Sequence, residues 1–204
     1  MARVKEKSGL MVRGANWYTR RTYGRDIEVT GVMAQSRPNA IGYGMLEWWH
    51  ERSHAVDEKL KVLAATKAAT KIGCEFCIDI GAHLGREAGV TEEQLRDFHT
   101  YRDSAAFSPV EKLVMEYAEE MSKTNVQISD EMFAQLREHL NEEQIVELTA
   151  AIAIENLRAR FNNALDITPA GFSNGAYCPM PERSLEAVSS GDGAPLQPTT
   201  RCRC

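Results

Sequence analysis

The sequence predicts an all-α fold. Three observations carry that prediction: apolar residues recur at helical spacing, three Ser/Thr/Asn-x-x-Glu/Gln signatures mark helix starts, and no pair of alternating segments signals a hairpin. A chain of 204 residues can bury one full core and is short for two, so a single domain is expected. In chain order, residues 1–24 form a basic N-terminal arm carrying Arg3, Lys5, Lys7, Arg13, Arg20 and Arg21. Ile27 to Ser36 and Ala40 to Glu51 read as two helices separated by Pro38-Asn39. The second carries Trp48 and Trp49, a pair expected in the core or at a subunit interface. Asp57 to Ile72 is the next helix, with Leu60, Leu63, Ala64 and Ala68 on one face, and Gly73 breaks it. Cys74 to Ala88 follows and stops at Gly89, where a left-handed residue is expected. Thr91 with Gln94, Ser108-Pro109 with Glu111, and Asn141 with Gln144 are capping boxes that open three more helices; a shorter one begins at Ser129. From Asn141 to Leu165 the apolar residues Ile145, Leu148, Ile152, Leu157 and Phe161 occupy more than one face, as in a central or interface helix. After Asp166 the pattern decays through Pro169, Gly171, Gly175, Pro179 and Pro181. The organisation expected is an arm (1–24), a helical domain (25–182) and a flexible tail (183–204).

Composition narrows the function. Hydrophobic residues make up 43% and charged residues 26%, which excludes disorder of the whole chain. With 24 basic against 29 acidic residues the formal charge is -5, and no basic stripe is broad enough for a nucleic-acid surface. No apolar run approaches the roughly 20 residues that span a bilayer. Gly9 to Val12 is too short for a secretory h-region, so neither membrane nor nucleic-acid partners are expected and the location is expected to be cytoplasmic. Five cysteines fit poorly with a secreted disulfide framework.

The chemistry concentrates at Cys74-Glu75-Phe76-Cys77. Two cysteines three residues apart at a helix start can close a disulfide, and the unpaired amides there favour thiolate at Cys74. Half of a metal site and two incidental buried thiols are the competing readings. A structural zinc site needs four ligands and no second CxxC exists, so the redox dithiol is favoured over a metal site. Thiol chemistry on a peroxide also needs a proton donor. The titratable neighbours are Asp79, His83 and Glu87, with Glu155 in a later helix; Glu155 is read either as an ion-pair partner of Arg158 or as part of a proton relay, the ion pair being favoured.

Three segments carry a family likeness: Leu60 to Ala69 leading into Gly73-Cys74-Glu75-Phe76-Cys77-Ile78-Asp79, the start Ser108-Pro109-Val110-Glu111, and Glu155-Asn156-Leu157-Arg158-Ala159-Arg160-Phe161-Asn162-Asn163-Ala164-Leu165. In this order the chain resembles the carboxymuconolactone decarboxylase superfamily, and within it the alkyl hydroperoxide reductase D-like branch. The resemblance implies a helical homo-oligomer that reduces hydroperoxides or disulfides without metal, haem or flavin and is recycled by a thiol protein or small thiol. It also implies that Cys77 attacks and Cys74 resolves. That branch carries a glutamate where this chain has Val62 and a histidine where it has Gly81, which leaves His83, Asp79 and Glu155 to supply the proton. A non-catalytic or redox-sensing helical oligomer and a decarboxylase-type acid-base enzyme are the alternatives.

Overall fold

The structure, a computed structural model, describes residues 2–173, 175–179, 181 and 182. The expected tail at 183–204, with Cys202 and Cys204, lies outside the described residues. The described chain folds into nine helices and, among those residues, no strand. They are α1 (Leu10–Tyr23), α2 (Glu28–Met33), α3 (Arg37–His50), α4 (Glu58–Ile72), α5 (Glu75–Glu87), α6 (Glu92–Arg96), α7 (Pro109–Met121), α8 (Asp130–His139) and α9 (Glu142–Leu165). No described helix is long and apolar enough to cross a membrane.

The capping signals translate directly. Thr91, Ser108 and Asn141 each accept the N3 backbone N–H while the N3 side chain accepts from the cap backbone, so six otherwise orphaned donors are satisfied. Ser129 caps α8 through the N–H of Met132. The proline boundary falls differently. Ala40 to Glu51 was expected, but α3 starts three residues earlier, with Pro38 in its first turn, where the missing N–H has no intrahelical acceptor to lose. A further departure is α1, a helix within the stretch expected to be a basic arm. Its start has no side-chain cap, which hides it, but Met11, Ala15, Thr19 and Tyr23 recur every four residues and Gly24 closes it with φ 73°.

α4 is the hub: it packs against α5, α7 and α9. It can approach three helices because Ala64, Ala68 and Ala69 are fully buried and present only methyl groups. Ala64 and Ala68 join Leu113, Val114, Ala118, Leu148 and Ile152 in one apolar cluster, whereas Leu63 and Ala69 join Phe76, Ile78, Phe98 and Met115 in another. Each fully buried Leu or Ile contributes about 1.5–3 kcal/mol. A buried ionic layer crosses this hub: Lys67, fully buried, meets Glu119 at 2.8 Å and Glu182 at 2.9 Å, with the Tyr101 ring 4.9 Å from its ammonium. Outside the hub, α1, α2 and α3 wrap one side. α3 buries no residue, and Ile41, Met45, Trp48 and Trp49 stand exposed. The tryptophans therefore lie outside the core, the first of the two places expected for them.

Candidate active site

The α4–α5 corner places the two sulfurs. Gly73 ends α4 with φ 83°, a left-handed turn that a side chain would strain, and the next residue already caps α5. Cys74 is that cap: its Sγ accepts the backbone N–H of Cys77 at 3.2 Å. The two Cα atoms are 5.3 Å apart and the sulfurs are joined in a disulfide, as the spacing predicts. Both cysteines are buried. From α9, the side-chain amide of Asn162 points its Nδ2 at both sulfurs, 3.5 Å from Cys77 and 3.8 Å from Cys74.

The sulfurs differ in what they face. A cavity of 770 Å³, walled mainly by apolar and aromatic side chains of α1 to α5, reaches Cys77 and Asn162 but not Cys74. Trp48 and Trp49, packed edge to face with centroids 4.6 Å apart, line it while remaining 42% and 63% exposed, so they stand at its rim. On the α1 side, Tyr23 donates to Glu51 at 2.6 Å and Tyr18 donates to the other oxygen of the same carboxylate, tying α1 to α3 over the cavity.

The polar part of this wall is built on α9, seven and four residues before Asn162, which is one helical face. Arg158 donates from Nε to Glu47 Oε1 at 2.8 Å and from Nη2 to the other Glu47 oxygen, and from Nη1 to Glu155 Oε2 at 3.2 Å. Burial pushes Glu47 up, but the bidentate Arg158 outweighs it and Glu47 titrates below the usual carboxylate range. Glu155 goes the other way. Burial dominates, the Glu47 charge adds to it, and the single contact from Arg158 does not compensate, so its protonation midpoint is pushed up to about 7. Glu155 Oε1 has no hydrogen-bond partner, nor have Asn162 Oδ1 and Thr66 Oγ1; all three residues line the cavity.

The structure brings together Cys74, Cys77 and, across the cavity, Glu155; it does not bring Asp79 or His83 there. Asp79 is buried behind the pair, where its two oxygens accept the backbone N–H groups of Phe172 and Ser173, each at 2.8 Å. It anchors the chain after α9. His83 lies against Phe172 with ring centroids 6.0 Å apart and reaches Glu87 at 3.6 Å, outside the cavity wall. Val62 and Gly81 do line the cavity. A Cβ on Gly81 would sit 2.5 Å from Thr66 Oγ1, so any side chain there, histidine included, requires the Thr66 side chain to shift. Sequence reasoning missed Glu47, Asn162 and the α1 tyrosines. Only the seven-residue spacing of Glu155 and Asn162 could have marked a shared face of α9.

A helical bundle with a buried CxxC disulfide opening on an apolar cavity defines a class, and the comparisons name it. The profile described as the Carboxymuconolactone decarboxylase family matches residues 40–120, which include both cysteines. The chain is 33% identical over 180 residues to the uncharacterized protein YnjA of Escherichia coli K12, spanning 87% of this chain and 95% of that one. Among solved structures, the debrominase Bmp8 superposes with a TM-score of 0.73 at 18% identity, over 82% of this chain and 90% of that chain. A peroxidase-related protein from Ralstonia eutropha JMP134, described as an alkylhydroperoxidase AhpD core, gives 0.67 at 17% identity over 84% and 94%. The chain belongs to the carboxymuconolactone decarboxylase family and has the AhpD-like fold.

Proposed function

We propose that the protein is a CxxC-dependent thiol oxidoreductase that reduces apolar organic hydroperoxides. The observation that carries this reading is that one cavity is lined both by a single sulfur of the pair, Cys77, and by Glu155, a carboxyl that burial pushes up to about 7. In the reduced protein the Cys77 thiolate attacks the distal peroxide oxygen: the O–O bond breaks, the alkoxide leaves with a proton from Glu155 as an alcohol, and Cys77 becomes a sulfenic acid. The Cys74 thiol then attacks that sulfur, releasing water and closing the observed disulfide. Two thiols of a small-molecule or protein reductant restore the pair. Glu155 lies two turns, about 10 Å along the axis, from the residue that touches Cys77, so its proton reaches the leaving oxygen through a chain of waters in the cavity. Homo-oligomerisation belongs to the same proposal, and the apolar side chains exposed on α3 are the surface that assembly would cover.

The experiment is consumption of cumene hydroperoxide by pre-reduced protein with dithiothreitol as recycling thiol. Turnover is expected for the wild type, background rate for Cys77→Ser, and, with the dithiothreitol removed, a single sulfenic acid equivalent for Cys74→Ser. Equal rates in all three would refute it. A second reading follows from the aromatic wall contributed by Tyr18, Tyr43 and Phe76. The same dithiol could reduce a brominated aromatic ring to the arene and bromide, the class of reaction for which the debrominase is named. Bromide release from 2,3,4-tribromopyrrole, the ligand held by a variant of that enzyme, separates the two.

A further inference from the structure

We propose that Asn162 is a positioning residue that directs the negative charge of the reduced pair to Cys77, the sulfur at the cavity. The inference deepens the reading of Cys77 as the attacking thiol and rests on it.

In the disulfide one amide serves two sulfurs, 3.5 Å from Cys77 and 3.8 Å from Cys74. Reduction breaks the S–S bond, and the sulfurs move apart to at least van der Waals contact, so one N–H group can no longer serve both. Cys74 has a donor of its own, the N–H of Cys77 at 3.2 Å, at the positive end of α5. Cys77 has no comparable donor from its own helix, so the amide is worth more to it. Among the described residues no other group holds that amide in place: Asn162 is buried, and its Oδ1 has no partner there to oppose a small rotation toward the charged sulfur. Without Asn162 the helix terminus alone would decide, and Cys74, which the cavity does not reach, would be the more acidic thiol.

Proteins in which Cys178, Cys202 and Cys204 are also replaced by serine, so that one thiol of the pair is left at a time, test this. In a Cys74→Ser background, thiolate absorbance at 240 nm against pH gives the midpoint of Cys77; in a Cys77→Ser background it gives that of Cys74. Asn162→Leu is expected to raise the Cys77 midpoint by about one pH unit, roughly a tenfold loss of thiolate below it, and to move the Cys74 midpoint by less than about a third of that. Asn162→Asp keeps the volume and replaces a donor by a carboxylate, so it should raise Cys77 at least as far even where the leucine variant fails to fold. Equal shifts at the two thiols, or none at Cys77, would overturn the assignment. Loss of hydroperoxide turnover in the wild type with the asymmetric titration intact would instead remove only the peroxidase reading.

Discussion

Glu155→Gln is the substitution in which stability and activity report on the same proton. The carboxyl has an ordinary midpoint of 4.5 and is pushed up to about 7 by burial in the folded chain. The folded state therefore binds the proton more tightly than the unfolded chain does. Its stabilising effect is complete below about pH 4.5 and is lost as pH rises through 7, and the interval corresponds to about 3 kcal/mol. Glutamine keeps the shape and cannot ionise, so it escapes this loss. The stability of the variant relative to wild type should climb by about 2–3 kcal/mol between pH 4.5 and pH 8, read from urea midpoints of the oxidised proteins. As the acid for the leaving alkoxide, Glu155 should also impose a fall in kcat/KM above about pH 7, and glutamine should remove that fall while lowering the rate by about 10²–10⁴. Parallel stability curves would show that Arg158 keeps the carboxylate ionised and that the buried proton does not exist. A high-pH fall that survives in the variant would assign it to another group.

Gly81→Ala should lower stability by about 1–3 kcal/mol in thermal or urea unfolding because its Cβ meets Thr66 Oγ1 at 2.5 Å, and Thr66→Ala in the same chain should recover most of the loss. Asp79→Asn removes a charge-assisted pair of bonds to the Phe172 and Ser173 amides and should cost about 2 kcal/mol while leaving the Cys77 thiol titration unmoved. His83→Ala, outside the cavity wall, should keep hydroperoxide turnover within about twofold of wild type; a hundredfold loss would return the histidine to the chemistry.

What was legible in the sequence was whatever local chemistry decides. Three capping boxes opened helices where written because their partners lie within four residues, and Cys74 and Cys77 met because one helical turn brings them together. What was illegible depends on packing between distant segments. Asp79 and His83 sit close to the cysteines in sequence, but helix rotation sends one to the chain at Phe172 and Ser173 and the other to the ring of Phe172. Glu155 was read as an ion-pair partner of Arg158 or a relay acid. The 3.2 Å contact is present, but Arg158 gives its bidentate grip to Glu47 from α3, 111 residues away in sequence, which leaves Glu155 the weaker contact. No spacing rule reveals that competition. α1 was overlooked for a similar reason: its inner face is apolar only every fourth residue, and it gains meaning from the cavity it covers.

That the cavity reaches Cys77 and not Cys74 bears on how the proposed thiol chemistry would be recycled. Among the described residues the cavity that reaches the pair leads to Cys77, so under the proposed chemistry the incoming reductant threads the passage that the oxidant used, and neither enters while the other occupies it. Steady-state kinetics should then be ping-pong with each co-substrate inhibiting at high concentration. Slim thiols should outpace protein donors too broad to enter the cavity.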